Sequence, residues 1–544
     1  MLYPCLLAEL IQFNAQRLPD NIALVDAEGE LSYAQLGQQV RSAAQAFMAC
    51  GLARGARVAI WLEKRREMVI ACFAAAHAGL VFVPINPTLK SAQVRHILND
   101  SGAELLLASQ PRWQLLAADG TPPPALLRHA WLLGEAGDLG SCRDLQLQRW
   151  DDVLHPPSGV DHAHRVIDTD VAALLYTSGS TGKPKGVVLS HRNMVTGAKS
   201  VAQYLHNVQA DVLLAALPLS FDAGFSQLTT AFLVGARVVL INPLVPRDVL
   251  NAVVRYRVTG LTAVPPLFMQ MTALPWPSEI SQTLRYLANT GGHMPRTTLD
   301  VLRERLPRSE IFLMYGLTEA FRSTYLDPSE LDRRPDSIGK AIPNAEILVL
   351  REDGTPCEID EPGELVHRGA LVSLGYWNDA DKTAERFRPL PRASGVLPEA
   401  LQLSDVVVFS GDTVRKDADG FLYFIGRRDD MIKTSGYRVS PTEIEEVAYA
   451  TGLISECAAF GIAHDTLGQV VCLVVCPAQG KTDLNPNMLS HACRNMLPPY
   501  MCPSSITVMN APLPRNPNGK IDRRLLSELL NEPLAHSQPV SASD

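Results

Sequence analysis

The 544-residue chain lacks a basic surplus: 49 lysines and arginines stand against 57 aspartates and glutamates, a formal charge of −8. A nucleic-acid-binding surface would show the opposite balance, so no nucleic-acid partner is expected. The chain also lacks an apolar run of membrane-spanning length. Its most apolar stretch, Val69 to Ile85, is too short and carries His77, Gly79 and Pro84. It reads as a buried helix turning into a buried strand, and no integral membrane segment is expected. The start, MLYPCLLAELIQF, has neither the basic opening nor the cleavage site of a signal peptide. The ten cysteines are scattered rather than spaced as a disulfide framework, which predicts reduced thiols and a cytoplasmic location. Cys472 and Cys476 lie four apart in VVCLVVCPA, on one side of a strand, where core packing explains them better than metal. His155, His162 and His164 match no zinc spacing and read as solvated loop. Internal repeats are missing too.

What remains is a long chain, apolar enough to bury large cores, that is expected to form two or more domains. RVAIWL, VFVPIN, ELLLA, AALLYT, VLLAALP, ARVVLI and LTAVPP read as strands separated by helical segments. That alternation predicts α/β architecture with mostly parallel sheets. From about residue 335, short strands joined by Asp-Gly and Pro-Gly turns predict an antiparallel β-rich subdomain. A polar run, GRRDDMIK, marks a boundary near residue 429. The expected organisation is a large N-terminal α/β domain over 1–428, with its β-rich subdomain over about 335–428. A small α+β C-terminal domain follows over 429–530, and then a disordered tail over 531–544.

One strand runs into YTSGSTGKPKG, residues 176–186, which packs three glycines, two lysines and five hydroxyl side chains into eleven residues. Glycines admit phosphate oxygens to the backbone, hydroxyls donate to them, and lysines neutralise their charge. A Walker A loop is excluded. Its first glycine would fall at Thr177, and the residue after Lys183 is Pro184 rather than Ser or Thr.

The loop resembles the signature of the adenylate-forming superfamily of acyl-CoA synthetases, luciferases and peptide-synthetase adenylation domains. The superfamily's other motifs follow in order: MYGLTEA at 314–320, SGDTVRKDADGFLYFIGRRDDMIKTSGYRVSPTEIEEV at 410–447, and PRNPNGKIDRR at 514–524. The likeness runs from Leu31 to Arg524. LPLSFDAGFSQL, YGLTEAFRSTYLDP and IKTSGYRVSPTEIEEV resemble most closely the AMP-forming acyl-CoA ligases associated with the exosortase A system.

This resemblance implies a two-step acid–thiol ligase using ATP and Mg²⁺. A small-molecule carboxylic acid would be activated to an acyl-adenylate, then passed to coenzyme A or to the phosphopantetheine of an acyl carrier protein. The implied alternative is amino-acid adenylation and loading onto a carrier protein. A luciferase-like or inactive relative is the remaining option.

The resemblance also implies residue roles. Thr177, Ser178, Gly179, Ser180, Thr181, Gly182, Lys183 and Lys185 would cradle the β- and γ-phosphates. Tyr315 and Gly316 would flank adenine, Thr318 would contact the α-phosphate, and Glu319 would bind the metal. Asp412 would accept from both ribose hydroxyls, with Arg427 on the nucleotide. Asp429 would be the hinge of a mobile C-terminal domain, and Lys433, Gly436 and Arg438 would line the thiol tunnel. Lys520 would be the catalytic lysine of adenylation. The acyl pocket would draw on Phe221, Asp222, Gly291, Gly292 and His293. Asp222 has two readings: partner of a substrate ammonium, or cap of the following helix.

Overall fold

The computed structural model describes residues 4–118, 120–134, 145–154, 163–177, 184–398, 400–401, 404–427, 430–434, 437–464, 467–478, 481, 484–516 and 520–534. The described residues form a mixed α/β structure with three sheets of fourteen, seven and five strands. All seven apolar runs read as strands are strands, from Arg57–Trp61 to Gly260–Ala263. The seven-stranded sheet is parallel except for Lys185–Ser190, which pairs antiparallel with Val171–Thr177. In the fourteen-stranded sheet, Val212–Ala215, Arg237–Leu240, Gly260–Ala263, Tyr286–Asn289 and Glu310–Tyr315 run parallel.

Local chemistry explains the elements. Ser32 opens the helix Tyr33–Ala49 with a reciprocal capping box to Gln35. Val69 to Ile85 is indeed a helix, Arg66–Ala78, stopped by left-handed Gly79 and followed by the strand Val81–Pro84. Alanines dominate that helix and are buried on every side, because it lies between sheets and has no solvent face. The antiparallel segment also appears: Ala345–Leu350 pairs with Gly363–Gly369 in register, Ala345 opposite Gly369. The large sheet continues through Val406–Lys416 and Leu422–Arg427, and the five-stranded sheet begins with Ile432–Thr434.

Cys472 and Cys476 are both buried in one core cluster, on the same side of the strand Gly468–Pro477. Two expectations change. The final helix, Arg523–Leu534, carries 531–534 on from Leu530, so the expected tail does not begin at 531; a leucine-rich face holds that helix against the C-terminal sheet. His164 is not solvated loop: its Nε2 lies 3.0 Å from the Leu52 carbonyl, and its Cβ sits over Gly79. His155 and His162 lie outside the described residues. Among the described residues no helix is long and apolar enough to cross a membrane.

Candidate active site

Parallel strands deliver their following loops to one sheet edge, and that edge is where ligands bind in α/β folds. Here Val212–Ala215, Gly260–Ala263, Tyr286–Asn289 and Glu310–Tyr315 do so together. Their loops bring Asp222, Pro265, His293 and the Thr318–Ala320 turn towards one cleft. The antiparallel pair Val406–Lys416 and Leu422–Arg427 adds Asp412 directly opposite Arg427.

Asp412 is almost fully buried. It accepts from the Tyr315 hydroxyl and, at 3.1 Å, from Arg427 Nε. Its own N–H donates to Ser410 Oγ. Burial and the neighbouring carboxylate push the Tyr315 phenol well above its usual pKa, so it keeps its proton and donates it to Asp412. The Tyr315 ring lies 6.2 Å from that of Phe424, tilted rather than stacked.

Glu319 sits in a short 3₁₀ turn, half-buried, with Oε1 accepting from the Tyr376 hydroxyl at 2.6 Å. Lys185 continues this line. Its Nζ lies 5.9 Å from the Tyr376 ring centroid and 3.5 Å from Asp379. Among the described residues no cluster of three His, Cys, Asp or Glu side chains could hold a metal unaided. A single carboxylate suits Mg²⁺, which keeps most of its shell as water and phosphate oxygen. The next residue but one, Phe321, takes φ +60° while fully buried against Gly197. A bulky side chain with that backbone is strained, and the strain lies inside the turn that carries Thr318 and Glu319.

The C-terminal part contributes Lys520. Its ammonium feels Asp412, Asp222, Glu319 and Arg427 together. Surrounding protein lowers its pKa by desolvation, Arg427 lowers it further, and the three carboxylates oppose both. The side chain stays open to the solvent of the cleft, as a lysine awaiting an anion should.

Asp222 does not cap the helix that follows it. Phe221, half-buried, holds the N-cap position of the helix Asp222–Val234, and no side chain caps it. Instead Asp222 accepts from Thr318 Oγ1 at 3.2 Å and pairs with Arg322 at 3.1 Å. Each carboxylate oxygen therefore already has one partner from within the chain. His293, expected on the acyl pocket, turns to Glu446 with Nε2 2.7 Å from Oε1. Gly291 and Gly292 pack on Val264 and Pro265.

A small cavity of about 20 Å³, room for a group the size of a water, lies beside this pair. Ala223, Ser226, Gln227 and Thr230 line it from one helix at spacings of three, four and seven. Leu213, Met314, Tyr286 and Arg322 close the other sides. Gly224 holds the helix close: a Cβ there would meet the Pro218 carbonyl oxygen at 1.8 Å.

Thr177 ends its strand and faces Lys185 across the antiparallel pair, so the phosphate-loop motif is borne on a hairpin and not on a strand-to-helix turn. Ser178, Gly179, Ser180, Thr181, Gly182 and Lys183 lie outside the described residues. Gly316 packs on the Arg322 backbone. Lys433 and Arg438 face each other in a tight antiparallel pair, Ile432–Thr434 with Tyr437–Val439; Gly436 and Asp429 lie outside the described residues.

Sequence reasoning missed Arg322, Tyr376 and the Gln227/Thr230 face. The polar residues at helical spacing in DAGFSQLTT were the available signal for the last. Arg322 offered only its place beside YGLTEA.

The AMP-binding enzyme family model matches residues 11–377, and the AMP-binding enzyme C-terminal domain matches 443–520. The chain is 30% identical to an L-proline–[L-prolyl-carrier protein] ligase of Pseudomonas fluorescens, over 96% of this chain and 99% of that protein. It is equally 30% identical to a long-chain-fatty-acid–CoA ligase of Yersinia pestis, over 96% and 94%. It spans 6% of a much longer linear gramicidin synthase of Brevibacillus parabrevis, again at 30% identity, over 94% of this chain. The crystal structure of the anthranilate CoA ligase AuaEII, in complex with anthranoyl-AMP, shares the fold with a TM-score of 0.86 at 24% identity, covering 98% and 99% of the two chains.

Proposed function

The chain belongs to the AMP-binding enzyme family, adenylate-forming acid–thiol ligases, and from that premise we propose how its residues divide the reaction. In the first half a carboxylate oxygen of the acid attacks the α-phosphorus of ATP. The bond to the β-phosphate oxygen breaks and pyrophosphate leaves. In the second half a thiol sulfur attacks the acyl carbon, its proton is lost to solvent, and AMP leaves with the acyl oxygen.

Lys520 is the cation that lets two anions approach. It bridges the acid's carboxylate and the α-phosphate, stabilising charge that grows in the transition state. Asp412 receives the ribose hydroxyls, held in place by Arg427 and the Tyr315 hydroxyl. Tyr315 and Gly316 flank adenine. Thr318 contacts the α-phosphate. The Thr177–Lys185 hairpin grips the outer phosphates. Glu319 would hold Mg²⁺ together with those phosphates, and the ion would neutralise their charge; Tyr376 orients the carboxylate for it. Asp429 serves as hinge, and Lys433, Gly436 and Arg438 line the path of the thiol arm, whether of coenzyme A or of a carrier protein. The need for ATP and a reduced thiol fits a cytoplasmic enzyme. The likeness to the exosortase A-associated ligases adds a link to bacterial surface-polymer systems.

The observation that carries this reading is the convergence of Lys520, from the C-terminal matched segment, with Asp412, Asp222, Glu319 and Arg427. The test is acid-dependent ATP–pyrophosphate exchange, followed by thioester formation with coenzyme A or carrier protein. Failure of every acid to support exchange would reject the assignment.

A further inference from the structure

The cavity beside Asp222 has three polar wall atoms without a partner among the described residues. Gln227 donates through Nε2 to the Gly224 carbonyl, but its Oε1 has no partner among the described residues. Thr230 Oγ1 and Arg322 Nε are likewise buried and unpaired. All three residues line the cavity, and each is at least nine-tenths buried. Three such atoms around one space call for an occupant that can pair with them, since each is costly when left dry. Their chemistry is mixed: one acceptor, one donor, and one hydroxyl that can be either.

Resting on the acid-activating reading above, we propose that the substrate is a short carboxylic acid whose body carries a hydroxyl or amide group. That group sits between Gln227, Thr230 and Arg322. A plain alkyl chain would displace water from these atoms and return no hydrogen bond, which is a loss. An α-amino acid finds Asp222 already neutralised by Arg322 and bonded to Thr318. A second carboxylate gains little from Arg322 for the same reason, because the guanidinium charge is spent on Asp222. Length is limited as well. The space itself is small, and Tyr286 forms part of its wall, tucked against Gly260, where a Cβ would meet its ring at 2.4 Å.

The test uses the purified full chain in ATP–pyrophosphate exchange. The acids are straight-chain alkyl acids, hydroxy and amide acids of matched length, α-amino acids and dicarboxylic acids. The expected result is kcat/KM for a hydroxy or amide acid about 10²-fold or more above its alkyl match. In the variant T230V/Q227M, with its melting temperature checked against the parent, that ratio falls at least about tenfold and exchange on the alkyl acid rises. Preference for alkyl, amino or dicarboxylic acids overturns the substrate class and leaves the ligase reading standing. An unchanged ratio in the variant removes these side chains as the readers. No exchange with any acid overturns both.

Discussion

His293 Nε2 lies 2.7 Å from Glu446 Oε1. One residue follows a strand of the large sheet, and the other sits on the helix Pro441–Ala450 of the C-terminal matched segment. The contact therefore ties the two parts in the same arrangement that brings Lys520 to the cleft.

Both partners are about a third exposed, so their coupling is modest, about 0.2–1 kcal/mol. A double-mutant cycle of His293→Ala and Glu446→Gln, read on pyrophosphate exchange, is expected to show up to about fivefold coupling. Strictly additive effects would mean that the pair does not hold the adenylating arrangement.

Lys520→Ala is expected to cut exchange by about 10² or more, while thioester formation from supplied acyl-adenylate is largely kept. Equal loss in both halves would refute the role. The Lys520 pKa is lowered and the charged form is the active one. The alkaline limb of exchange kcat/KM should therefore fall below the ordinary lysine value of about 10.4, and Lys520→Arg should abolish that limb.

Asp412→Ala removes the carboxylate proposed to read the ribose. The KM for ATP should rise about 10- to 100-fold, the worth of hydrogen bonds to a charged group. With 2′,3′-dideoxy-ATP the substitution should make little difference. An equal penalty on both nucleotides would assign Asp412 to structure alone.

Two buried histidines set an acid limit on stability. His191 accepts the Leu7 N–H at Nδ1, and burial lowers its pKa to about 4. His367 lies 3.0 Å from Ser323 Oγ, and burial lowers its pKa to about 3. The unfolded chain binds protons near pH 6.5 and the folded chain does not, so stability is complete above that pH and declines as pH falls through 6.5 towards 4. Each contributes on the order of 3 kcal/mol over that range. His191→Asn keeps an acceptor for Leu7 and should flatten the fall in melting temperature between pH 6.5 and 4.5. A variant that tracks the parent would remove His191 from the account.

Most of the fold was legible because its signals are local. Apolar runs of strand length and Gly79 at a helix end each act within a few residues. The ordered motifs were legible too, since each is a continuous string. Asp222 was not. A lone aspartate after Phe221 looks the same whether it caps a helix, awaits an ammonium or pairs with Arg322. The choice depends on a side chain a hundred residues away.

By itself the sequence determined the reaction class, because phosphate loop, Thr318–Glu319 turn, Asp412 and Lys520 are all written in short contiguous motifs. Only the tertiary structure decided which of these groups share one electrostatic environment, that His293 faces Glu446, and that Arg322 neutralises Asp222 beside a cavity with three unpaired polar atoms. Coulombic and hydrogen-bond energies depend on distances of a few ångströms. Sequence separation carries no information about those distances until the chain has folded.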